Sequence, residues 1–223
     1  MAKQPHFSAY TLSVIEFLIA AAAFGLSGGL SPGPLLTLVV AETLTRGRSA
    51  GLAVAASPLI TDGPIIAVTL LLLGRIESSE AALGILSIAG GLLLGSYGVA
   101  GLGGVSVDAD EVATGRGVWN SLGKGVSVNL LNPSPYLFWL TIGTPMLLHA
   151  RQSSLAAAIG FLVVFYLGLV GSKAILAVLV ARSRSVLRGR AYIVIKRILA
   201  MVLLVYAVLF IRSGVLELVA HAK

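Results

Sequence analysis

The chain contains no cysteine. Disulfides, thiol redox chemistry and cysteine-built metal sites are therefore excluded at the outset. Charge is scarce as well: 11% of the 223 residues are charged, against roughly 25% in soluble domains. Acids are outnumbered, 9 Asp and Glu to 16 Lys and Arg. The signatures HExxH, GxSxG and GxxxxGK[ST] are all missing, so metalloprotease, serine hydrolase and P-loop ATPase readings lack their parts. His6, His149 and His221 stand at termini or loop edges and do not converge on a metal site. No enzymatic activity, cofactor or metal is expected.

What remains is apolar. Hydrophobic residues make up 57% of the chain, and the mean hydropathy is +0.97. Several runs exceed the roughly 20 residues that cross a hydrocarbon core of ~30 Å. The net charge of +7 reads as loop topology and contact with anionic lipid rather than nucleic-acid binding. The expectation is a single all-α, multi-pass domain over 1–223, seated in the cell membrane.

A polar lead, residues 1–12, precedes the first apolar run, Ser13 to about Ala41. Glu16 inside that run and a weakly basic lead argue against a cleaved signal peptide, despite the small residues Ala21–Ala23. Further spans are expected at about 51–73, 81–102, 125–148, 155–181 and 192–211, with a solvated loop at 103–118. Gly25, Gly29 and Gly33 fall four apart, as do Ser87, Gly91 and Gly95. Small residues at that spacing let helices approach closely. The second stripe reads as a packing face or the face of a homodimer. Bases gather in loops one–two (Arg46, Arg48), three–four (Arg116, Lys124) and five–six (Arg182, Arg184, Arg188, Arg190, Lys196, Arg197). This asymmetry places those loops in the cytoplasm and both termini outside.

Two proline clusters interrupt the apolar runs: Ser31-Pro32-Gly33-Pro34 and Asn132-Pro133-Ser134-Pro135. Proline lacks an N–H and clashes with the preceding turn, so each cluster breaks a helix. Within a bilayer such breaks survive only where protein or a wet cavity surrounds them. They fall in the first span of each half, about 13–102 and 119–211. Paired breaks of this kind are the sequence form of six transmembrane helices arranged as two inverted three-helix repeats, and they point to a transport site. The helices resuming after Pro34 and Pro135 are expected to offer free N–H groups to an anion. Ser31, Asn132 and Ser134 add small polar groups, and Asn129 lies one turn from Asn132.

Asp62 is the sharpest single signal. A charge at bilayer centre costs about 2.5–3.5 kcal/mol on insertion scales and marks function by default. Lys173 is its natural partner: the two lie ~16 and ~12 Å from the cytoplasmic ends of their spans, at 1.5 Å per residue. A pair would tie proton movement on Asp62 to a conformational change. Glu16 and Glu42 read as interfacial, and Arg212 and Glu217 as an exposed tail.

With these residues in place, the chain resembles the LysE-type translocators, a family of small amino-acid exporters. The match runs through Ser31-Pro32-Gly33-Pro34, then Thr45-Arg46-Gly47-Arg48-Ser49-Ala50-Gly51, then Asp62. It returns at Asn132-Pro133 followed by Tyr136-Leu137-Phe138-Trp139. The family's usual lysine after the Asn-Pro is replaced here by Ser134-Pro135. The resemblance implies a six-span secondary transporter that exports amino acids or related metabolites by exchange with protons.

The expected function is therefore export of a small metabolite, with Ser31, Pro32, Gly33, Pro34, Asn132, Pro133, Ser134 and Pro135 at the substrate and Asp62 and Lys173 at the coupled ion. Export of a metal or inorganic cation is the alternative within transport, although hard cations want about six or more oxygen ligands and only one central carboxylate is visible. A thiol electron conduit is removed by the missing cysteines, and an intramembrane enzyme lacks a nucleophile–base pair. A membrane scaffold without transport would need neither Asp62 nor the paired breaks.

Overall fold

The computed structural model describes residues 14–72, 76–102, 116–183 and 190–221. The polar lead, most of the 103–118 loop and Arg184 and Arg188 lie outside them. Every regular element among the described residues is helical: α1 Val14–Leu30, α2 Pro34–Arg46, α3 Arg48–Ala55, α4 Pro58–Leu72, α5 Ile76–Leu102, α6 Arg116–Leu130, α7 Pro133–Phe138, a π turn Trp139–Gly143, α8 Thr144–Ser153, α9 Leu155–Ser183 and α10 Arg190–His221.

Among the described residues, four helical stretches are long and apolar enough to cross a membrane: Arg48–Leu71, Leu83–Leu102, Leu155–Ser183 and Ile193–Ala220. The pair α1 and α2 makes a fifth if counted as one span, bent by 59° at the proline cluster. The bend lies where the sequence places it, because neither Pro32 nor Pro34 can donate back into α1. The expected fourth span, 125–148, is not one helix. It is divided by Leu131–Asn132 and again by the π turn. Residues Arg212 and Glu217, read as a tail, are a continuation of α10 instead.

The glycine stripes decide the packing. A methyl group added at Gly25 would sit 2.3 Å from the Phe165 carbonyl oxygen, and one at Gly29 would strike Ser172 and the Leu169 carbonyl. Position numbers rise together along both helices, so α1 and α9 run parallel. On α5, Gly84 meets Gly214, Gly91 meets Ala207, and Gly98 meets Ala200 and Leu204. Here the numbers run oppositely, so α5 and α10 are antiparallel. The stripe read as a packing or dimer face is thus occupied within the chain. Gly125 of α6 lies against Val54 and Ser57, and Asn129 bonds Thr61 and Asp62, so α6 runs parallel to α3 and α4.

Two apolar clusters hold these contacts. One gathers Leu35, Leu38, Val39, Val54, Leu94, Val128 and Leu203 between α2, α3, α5, α6 and α10. The other joins Phe17, Ala21, Ile65, Trp139, Phe161 and Phe165. Phe138 stacks on Phe165 with ring centroids 5.2 Å apart, and Trp139 meets Phe165 edge-on at 5.4 Å.

Gly25→Val is expected to cost several kcal/mol, since overpacking costs about 1–3 kcal/mol even where flexible side chains can yield and the obstacle here is backbone. Gly171→Ala, which meets nothing within 4 Å, is expected to be neutral. Thermal unfolding of the two variants in detergent checks this: equal melting temperatures would contradict the close α1–α9 approach.

Candidate functional site

Breaking a span frees backbone groups, and the site is built from what satisfies them. Gly28 C=O would receive a hydrogen bond from residue 32 in a continuous helix, but Pro32 has none to give. Lys173 of α9 supplies it: its ammonium donates to Gly28 O at 2.9 Å and Gly29 O at 3.1 Å. A cation at the C-terminal end of a helix also meets the negative pole of its dipole. Tyr206 of α10 donates to Pro32 O at 2.9 Å. The far side of the break is open. Gly33 precedes α2 without a side-chain cap, and Leu35 and Leu36 of the first turn line the cavity between the helices.

The second break is closed differently. The helix resumes at Pro133, not after Pro135 as expected, with Asn132 as its N-cap. Asn132 Oδ1 accepts from Ser134 N at 3.0 Å, and Pro133 and Pro135 have no N–H. The expected free donors are therefore absent from this end. On the other side of the break, the Leu130 carbonyl accepts from Tyr136 OH at 2.9 Å.

Asp62 is buried, 3% exposed, and four donors surround its carboxylate. Oδ1 accepts from Asn129 Nδ2 at 3.2 Å and Thr61 Oγ1 at 3.4 Å. Oδ2 accepts from Tyr166 OH at 3.2 Å and Trp139 Nε1 at 3.3 Å. Asn129 also donates to Thr61 Oγ1 at 2.6 Å. Hydrogen bonds to an ionised group contribute roughly 1.5–3 kcal/mol each, so this set offsets the cost of placing the charge. Lys173 is equally buried at 3% exposed, yet it makes no direct ion pair with Asp62. Sequence left open whether the two charges pair; here each is held by a broken span.

One cavity of about 270 Å³ joins these parts. Its wall includes Ser31, Pro32, Gly33, Pro34, Asn132, Ser134 and Pro135 together with Asp62, Asn129 and Lys173. Pro133 is the one residue of the two clusters that is not on the wall. Phe24, Phe138, Trp139, Phe165, Tyr206 and Phe210 make much of the remainder apolar. A family model described as LysE type translocator matches residues 26–214, taking in both breaks, Asp62 and Lys173. The chain belongs to the LysE type translocator family. It is accordingly a multi-pass membrane protein of a transporting family. No curated protein matches it, and no solved structure does.

The sequence reading of this translocator missed Thr61, Trp139, Tyr166 and Tyr206. Tyr166 carries a faint signal, because it stands seven residues, two helical turns, before Lys173. Trp139 stood in the resembled stretch Tyr136–Trp139, but nothing there pointed to its bond with Asp62. Glu42, near the end of the first span, is buried within the protein and is held by Lys124 at 2.7 Å, Arg46 at 3.4 Å and the Ser121 hydroxyl.

Lys173→Met is expected to lose about 3 kcal/mol, the worth of hydrogen bonds from a charged donor. At about 2–4 °C per kcal/mol for a chain of this size, the melting temperature falls by about 6–12 °C. A melting curve in detergent unchanged from wild type would show that the α1 carbonyls do not depend on Lys173.

Proposed function

We propose that this translocator is a secondary active exporter of a small metabolite, an amino acid or a derivative of one, moved in exchange for protons. The cargo is held between the breaks at Ser31–Pro34 and Asn132–Pro135, and Asp62 is the ion-coupling group. One observation carries the reading: breaks from two separate halves of the chain face one cavity that also takes in Asp62 and Lys173.

The running senses of the helices support six spans. In a chain that alternates across a membrane, two spans run parallel only if an odd number of crossings separates them. With α3–α4 and α5 as two crossings between α1 and α9, a third is required. The parallel packing of α1 on α9 therefore favours counting α6 to α8 as the fourth crossing. The partnerships also have two-fold character: span one lies with five, four with two, and three with six. Tyr206 on span six bonds the Pro32 carbonyl of the first break, while Gly90 on span three lies against the Leu131 carbonyl of the second. This supports two inverted three-helix repeats, about 13–102 and 119–211, within one domain. The distribution of Lys and Arg favours a cell-membrane orientation with the Arg46–Arg48 corner in the cytoplasm and both termini outside.

On this plan Asp62 and Lys173 hold corresponding places. Each sits on the second span of its half and bonds the broken first span of the other. Their opposite charges suit a zwitterion, with its carboxylate toward Lys173 and the uncapped N–H groups of α2, and its amine toward Asp62. A volume of about 270 Å³ lies just below the ~300–1,000 Å³ of drug-sized pockets, which suits a small metabolite. A lysine and four donors around one carboxylate make a poor cage for a hard cation, which takes about six or more oxygens.

Protonation supplies the coupling. An ionised carboxylate accepts from all four donors; a protonated one becomes a donor at one oxygen. Those donors come from spans two, four and five, so a proton on Asp62 loosens three spans at once. In proteoliposomes loaded with a panel of amino acids, wild-type protein is expected to move at least one under an imposed pH gradient. Asp62→Asn is expected to reduce that pH-driven flux at least tenfold. Asp62→Asn protein with full pH-driven flux would refute the coupling role.

A further inference from the structure

A second cavity, of about 150 Å³, is lined by two of the helices that line the first, α2 and α10. Its wall includes Leu38, Glu42, Tyr97, Lys124 and Leu203. The two cavities share walls at a spacing of about one helical turn. Along α2, Leu35 lines the first and Leu38 the second; along α10, Tyr206 lines the first and Leu203 the second. Leu35, Leu38 and Leu203 belong to one buried apolar cluster, with Tyr206 packed against it. The barrier between the cavities is thus about one turn thick, ~5 Å at the pitch of an α-helix.

Glu42, Arg46 and Lys124 all line this second space. Glu42 belongs to the lower part of the first span, on α2. Lys124 and Ser121 belong to α6, in the other half of the chain. Lys124 Nζ lies 2.7 Å from Glu42 Oε1 and 5.9 Å from the Tyr97 ring centroid. The Ser121 hydroxyl donates to Glu42 Oε2. Arg46, one turn along α2, approaches the same oxygen at 3.4 Å. A buried carboxylate held across the two halves is costly to expose unpaired and specific in its geometry.

We infer that the second cavity is the mouth of the cargo path on the Arg46–Arg48 side of the membrane, and that the Glu42–Lys124 pair with Ser121 is the latch that keeps the Leu35–Leu38–Leu203 barrier shut behind it. The inference rests on the transport reading, but the latch is tested without any cargo. Parting α2 from α6 at Glu42 would let the barrier open and join the two cavities into one path. These residues position the barrier; none of them touches the cargo site.

The cysteine-free chain makes the test direct. Leu38→Cys, otherwise 3% exposed, serves as the sole thiol in sealed vesicles treated with a membrane-impermeant maleimide. Labelling is expected to be slow in the parent. It should rise at least fivefold with Lys124→Met, from the Arg46–Arg48 face only, and stay slow with Lys124→Arg. Ser121→Ala, a milder loss, should give a rise of about twofold. The proposal is overturned if Lys124→Met and Ser121→Ala label at the parent rate, or if Lys124→Arg labels as fast as Lys124→Met. Size-exclusion profiles in detergent identify any variant that misfolds, and the remaining ones then decide. A latch that responds as stated in a chain that moves no amino acid would sink the transport reading and leave the gate standing.

Discussion

In a bilayer, every backbone group that a broken helix releases must find its partner inside the protein. That constraint organises this molecule. The first span is broken by Pro32 and Pro34, and Lys173 reaches across from α9 to take the Gly28 and Gly29 carbonyls. Tyr206 arrives from α10 for Pro32. The glycines at 25 and 29 exist on the face that lets α9 approach closely enough for Lys173 to do so. Close helix packing, a buried cation and a broken span are therefore one structural problem with one solution.

The second break meets the same demand by a shorter route. Asn132 and Tyr136 satisfy it from within the fourth span, which leaves α9 and α4 free to present their polar groups elsewhere. Asp62 takes donors from Asn129, Trp139 and Tyr166 as well as its neighbour Thr61. The two breaks thus differ in character. One is held by a charge and begins its second helix without a side-chain cap. The other is sealed by its own side chains. An unequal pair of ends is what an asymmetric cargo, acid at one end and base at the other, would require.

Much of this was legible in the residues. Proline chemistry places both breaks, the charge scarcity singles out Asp62 and Lys173, and the spacing of glycines marks the contact faces. The sequence left open whether Asp62 and Lys173 pair; they line one cavity without a direct ion pair, and Lys173 is engaged by the Gly28 and Gly29 carbonyls instead. The partners of Glu42 were unreadable, because Ser121 and Lys124 of α6 lie some eighty residues away and leave no local mark. The helix restart at Pro133 rather than after Pro135 turns on a single side chain, Asn132, folding back as a cap.

The π turn at Trp139–Gly143 carries a geometric consequence for the whole fourth span. Such a turn is an α-helix that has absorbed one surplus residue. One residue corresponds to a rotation of about 100° at 3.6 per turn. Everything from Thr144 onward is therefore swung round by that angle relative to the rod that would otherwise continue from Phe138. A helical wheel drawn straight through the span assigns its two ends to compatible faces that do not coincide in space. The indole that reaches Asp62 lies just before the surplus residue, and the chain beyond it faces a different way.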